Sequence, residues 1–149
     1  MPNTLYDKAR EAFLNGEIKW SGVGSDEIRV ALVTSAYTPD IANHVTLSQV
    51  KDSQNRTAIL QKSVPLENKT SDKGVADASD VTFSTANANT AVPAGEVKAI
   101  VIYQAGPTES TSKLIAYLDQ INGLPINTTS SATDLTIHWD NGTNKIFKL

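Results

Sequence analysis

The sequence predicts a mainly β protein, an antiparallel β-sandwich or jelly-roll-like barrel preceded by one N-terminal α-helix. Three observations carry this. The polar residues are dominated by Ser, Thr and Asn, whose short side chains compete for main-chain hydrogen bonds inside a helix and suit strand surfaces and turns. Residues 96–104 (EVKAIVIYQ) form a dense β-branched run, the composition of a central strand. Apolar runs recur between turn signals roughly every ten to twenty residues, without the strand–helix alternation of a doubly wound fold.

The helix comes first. Asn3 or Thr4 can cap it, Asp7 suits the positive end of its dipole, and Leu5, Ala9, Ala12 and Phe13 share one face. Gly16 can end it in the left-handed conformation. So short a helix is marginal alone and must pack on something. After Trp20 and a Gly/Ser turn, residues 27–35 alternate Ile28, Val30 and Leu32 with Arg29, Ala31 and Val33, which predicts a half-buried strand. Residues 36–50 read as a loop with one helical turn near Leu47, and 57–65 and 81–85 as strands flanking the polar turn region 68–80.

The second half continues with the 96–104 strand. Residues 113–119 (KLIAYLD) fit helix or strand by period, but their place between Gly106-Pro107 and Asn122-Gly123 favours a meander strand. Residues 134–139 alternate, and Asn141-Gly142 predicts a hairpin into 145–149, whose apolar alternation predicts a paired C-terminal strand. The total is about seven or eight strands, the count of a sandwich or barrel. The division is a helical segment at 1–20 and a β domain at 21–149, within a single domain overall.

Composition excludes several functions. A formal net charge of −3 and a pI near 5.3, with no Lys/Arg cluster, argue against nucleic acid and anionic membrane as partners. The absence of Cys removes disulfides, thiolate metal sites and Cys nucleophiles. Asp7, Lys8, Arg10 and Glu11 interrupt any signal-peptide pattern, so synthesis in the cytoplasm is expected.

Residue patterns that would carry catalytic chemistry are few. Gly22-Val23-Gly24 lacks the third Gly and the helix of a phosphate loop, and no Gly-x-Ser-x-Gly elbow is present. His44 has no partner at metal-ligand spacing. Asp134, Thr136, His138 and Asp140 fall on one strand face, a pattern that could hold a metal or orient a base. Without a further ligand it reads as the solvated or subunit-facing side of the strand. Glu67, Asp72, Asp77 and Asp80 miss the ligand spacing of a calcium loop and read as an acidic turn. Trp20 and Trp139 read as core anchors, and Tyr103 and Tyr117 as core or partner residues. No catalytic, metal-binding or cofactor residues are assigned, no cofactor is expected, and the chain is read as a non-enzyme.

Several stretches carry a resemblance. The opening NTLYDKAREAFLNGEIKW (3–20), KGVADASDVTFS (73–84), AIVIYQAG (99–106), LIAYLDQINGLPI (114–126) and the closing IHWDNGTNKIFKL (137–149) resemble a family of small virion structural proteins of tailed bacteriophages. The opening and closing segments are the most specific, and 37–65 matches least. The resemblance implies a particle component, best matched by a head decoration (cement) protein. Such a protein sits on the outer capsid surface, often as a homotrimer, with the major capsid protein and its own copies as partners. The family carries no catalytic residues to transfer. The expected contact residues are Leu5, Tyr6, Ala9, Phe13 and Trp20 of the N-terminal segment, unless these pack on the domain's own sheet. The rival readings are a tail-tube or other tail component and a carbohydrate-binding adhesion module. The latter needs exposed aromatic residues in a concave face, of which the chain has few.

Overall fold

A computed structural model describes residues 3–21, 26–128 and 134–149. Its centre is a five-stranded antiparallel sheet in the order β1 (Thr4–Leu5), β8 (Lys113–Leu118), β7 (Ala99–Gln104), β2 (Ile28–Val33), β3 (Ile59–Lys62). Three two-stranded antiparallel sheets pair β4 (Val75–Ala76) with β11 (Phe147–Lys148), β5 (Val81–Phe83) with β10 (Leu135–Ile137), and β6 (Gly95–Val97) with β9 (Ile126–Thr128). The helix α1 spans Asp7–Leu14. The molecule is therefore mainly β, antiparallel and sandwich-like, with one helix near its N-terminus.

The central strands are buried on both faces, and this corrects the half-buried reading of residues 27–35. Cross-strand partners share a face. The registers Val30↔Ile102, Leu32↔Ile100 and Ile102↔Ala116 therefore define one face, and Ala31↔Val101 and Val101↔Tyr117 the other. Val30, Leu32, Ile100 and Ile102 are fully buried, and so are Ala31, Val33 and Val101 opposite them. At one end of the first face Gln104 is buried. Its Oε1 accepts the Lys19 N–H at 2.9 Å and its Nε2 donates to the Glu17 carbonyl at 2.9 Å. The chain leaving α1 is thereby fixed over the sheet by both ends of one carboxamide, bonds whose loss leaves buried groups unpaired.

The helix begins later than predicted. Thr4 and Leu5 pair with Tyr117 and Ala116 of β8 instead of capping a helix, and Tyr6 is the N-cap without a side-chain bond. Two sheet pairings outweigh a marginal cap. The C-terminus of α1 does end as expected: Gly16 has φ +72°, the Glu17 N–H reaches the Ala12 carbonyl at 2.8 Å, and the Gly16 N–H reaches that of Phe13 at 3.2 Å.

Other departures concern partners, not elements. The predicted hairpin across Asn141-Gly142 does not form, because β10 pairs with β5 and β11 pairs with β4. The chain end is paired into a sheet as expected. The 96–104 run divides into β6 and β7 around Lys98, and β6 joins β9, which the sequence did not reveal. Residues 68–80, read as wholly polar turn, include β4. The turn near Leu47 is a single 3-10 turn in which the Gln49 carboxamide accepts the Thr46 N–H at 2.9 Å. Trp20 and Trp139 are core residues, and so are Tyr103 and Tyr117.

Candidate functional site

The five expected contact residues lie inside the fold. Leu5 is 4% exposed, Tyr6 0%, Ala9 1% and Trp20 7%, and Phe13 is partly buried against the core. Trp20 meets the Phe147 ring edge-on with centroids 5.1 Å apart, and Phe13 meets Phe147 at 6.1 Å. The N-terminal segment thus packs on the C-terminal strand of its own chain, with Phe13 the least enclosed of the five. The division at residue 20 is crossed by this core, since β1 is a strand of the central sheet. The exposed apolar side chain of α1 is Leu14, at 89%.

The polar face around His138 is a cross-strand ladder. Asp134 Oδ1 accepts the Thr85 N–H at 2.7 Å, and the Thr136 and Thr82 hydroxyls meet at 2.8 Å. His138 Nδ1 lies 2.8 Å from Asp80 Oδ2. Asp140 Oδ1 accepts the Gly142 N–H at 3.2 Å. Each member of the face reaches its own partner, and the four do not converge on a point. Among the described residues no group of three His, Cys, Asp or Glu side chains could hold a metal ion. Asp80, placed by its spacing in an acidic turn, is the hub that sequence reasoning missed. Its other oxygen accepts the Trp139 N–H at 3.0 Å. That main-chain bond and the adjacent His138 hold the Asp80 carboxyl below its ordinary value, against partial desolvation. No local signal marks Asp80, because its partners lie almost sixty residues away.

His44 differs. Its Nδ1 accepts the Asp40 N–H at 3.2 Å and lies 2.8 Å from the Tyr37 hydroxyl, which therefore donates to it. The Tyr6 hydroxyl, 2.8 Å from that of Tyr37, then donates in turn. Burial pushes the Tyr37 hydroxyl up to about 12, and that of Tyr6 well above its ordinary range. Neither is a nucleophile near neutral pH; the chain of bonds anchors the 37–44 loop to the sheet.

A concave surface with free polar groups lies elsewhere, between the β1–β8 edge and the 138–148 segment. It has two lobes of about 500 and 360 Å³ that share Asn3, Leu118, Asp140, Lys145 and Ile146. The larger lobe carries the carboxamides of Gln120, Asn122 and Asn141 above Leu118, Ile121 and Trp139. The smaller carries Arg10, Lys145 and Lys148 beside Thr4 and Leu5. Every described residue that lines the two lobes falls within 3–20, 114–126 or 137–149. Three stretches distant in sequence therefore build one groove. No helix among the described residues is long and apolar enough to cross a membrane. Comparison with protein-family models, curated proteins and solved structures finds no match.

Proposed function

We propose that this chain is a structural component of a tailed-phage virion: a head decoration protein that binds the major capsid protein on the outer shell, acts as a homo-oligomer such as a trimer, and stabilises the head. One observation carries the reading. Three of the segments that resemble phage virion proteins, including the opening and closing ones, converge in space on the groove between β1–β8 and residues 138–148. The poorly matching stretch 37–65 lines separate depressions, chiefly on the opposite face of the sheet.

The rest of the molecule suits assembly. A sheet buried on both faces gives a stiff body, and its loops and edges are left for contact. Many copies on a symmetric shell turn weak single contacts into tight overall binding.

The test uses the full-length chain and heads that lack it. Cosedimentation at saturating stoichiometry, and a higher temperature of DNA release from decorated heads, are the expected results. Cryo-electron microscopy that placed the chain in stacked rings of the tail tube would replace this reading with a tail role. Light scattering after size exclusion checks the trimer.

A further inference from the structure

We infer that the groove along β1 docks an extended, acidic segment of a partner protein, which adds to the free edge of the central sheet and sends alternate side chains into the groove. The inference rests on the protein-binding reading above and names the chemistry of the partner at that site.

Among the described residues β1 is the outermost strand of its sheet, paired with β8 alone. The Tyr6 N–H is bonded to the Ile115 carbonyl at 3.0 Å. In an antiparallel ladder successive residues turn their main-chain groups to opposite sides. Leu5 therefore directs its N–H and C=O away from β8. Its N–H has no acceptor among the described residues, and its carbonyl meets only the Thr4 hydroxyl at 3.3 Å. Unpaired edge groups of this kind are the template on which extended segments add as strands, and Leu5, although only 4% exposed, lines the smaller lobe.

Charge selects the segment. Arg10, Lys145 and Lys148 line the smaller lobe against the single carboxylate of Asp140, in a chain whose formal net charge is −3. Among the described residues that line this lobe, cations outnumber carboxylates three to one. Arg10 and Lys145 approach Asp7 and Asp77 only at 3.9 and 3.7 Å, and Lys148 has no ion pair among the described residues. These cations can turn to an incoming carboxylate.

The larger lobe then reads main chain. The carboxamides of Gln120, Asn122 and Asn141 make no hydrogen bond among the described residues, and each offers a donor and an acceptor as a peptide unit does. Asn3, on the same wall, already acts this way: it donates to the Gln120 carbonyl at 3.3 Å and accepts the Gln120 N–H at 2.8 Å. So short an edge binds weakly by itself, which suits a contact repeated over a shell.

The experiment is an NMR titration of the isotope-labelled full chain with a short peptide alternating Glu and Thr. Expected are shifts at Arg10, Lys145 and Lys148 and slowed exchange of the Leu5 amide. Binding should weaken with salt and disappear when the peptide main chain is N-methylated. Equal binding of the Lys-for-Glu peptide, an unmoved Leu5 amide at millimolar peptide, or a response to oligosaccharides instead would each overturn the inference. A Lys145→Glu/Lys148→Glu chain, checked for folding by circular dichroism, should lose both the peptide and the heads. If it loses the peptide but still decorates heads, the groove is not the partner site and the decoration reading survives. If the unaltered chain binds the peptide but no heads, the decoration reading fails while the groove stands.

Discussion

The two covers of the central sheet are built on different plans. On the face that carries Val30 and Ile102, the covering residues are the two chain ends and the small sheets. They pack through rings and aliphatic groups, with Phe147 between Phe13 and Trp20. On the face that carries Val101 and Tyr117, the cover is the long 36–58 connection. It is tied down by side-chain hydrogen bonds, of which Tyr6–Tyr37–His44 is the deepest. The two histidines repeat the contrast. His44 Nδ1 accepts bonds within the second cover, whereas His138 Nδ1 faces the Asp80 carboxylate at the surface of the first. Both covers bury apolar side chains, but the second also buries a chain of hydroxyls, and substitutions should separate them.

The largest expected effect comes from deleting residues 1–20. The truncated chain loses β1, α1, Trp20 and the segment bonded by Gln104, and should fail to fold; a native-like near-ultraviolet dichroism spectrum would contradict the packing described here. Phe147→Ala should cost about 3 kcal/mol in urea unfolding, the order expected for emptying an aromatic site in a core. Tyr37→Phe leaves the fully buried Tyr6 hydroxyl without its acceptor and should cost about 1–3 kcal/mol. Adding Tyr6→Phe should recover part of that loss, since removing both partners leaves no orphan. An additive double mutant would show that the hydroxyl chain is not coupled.

Acid provides a smaller effect. Asp80 has a folded-state value below its unfolded one, so its contribution is present above the unfolded value of about 3.9 and is lost as pH falls through the folded value. Between pH 5 and 3 the melting temperature should fall less steeply in Asp80→Ala than in the parent; identical slopes would remove Asp80 from the account. The smallest effect is expected at Leu14, where Leu14→Ser should change stability by less than about 0.5 kcal/mol, because the side chain is 89% exposed.

Local signals were legible wherever they were satisfied locally. The Gly16 helix end, the turn at Leu47 and the strand character of 113–118 all depend on neighbours within a few residues. The candidate site was not legible. Gln120 and Asn141 line one groove, and the segment after Asn141 runs on to pair with β4, while the Asn-Gly signal pointed to a hairpin with β10. The stretch 27–35 looked half-buried because period-2 alternation does not show whether a second layer covers the other face. Asp80 looked like one more acidic turn residue because its value to the fold lies in Trp139 and His138.

Sequence by itself determined that this chain is mainly β with a leading helix, that its apolar runs form strands, and that Trp139 is core. Those properties follow from main-chain preference and side-chain period, which each short stretch carries within itself. Tertiary structure alone decided which strands pair, that the N-terminal segment packs on the chain's own C-terminus, and where free polar groups gather. Those outcomes depend on contacts between residues far apart in the chain, and no local pattern records which distant partner will bury a given face.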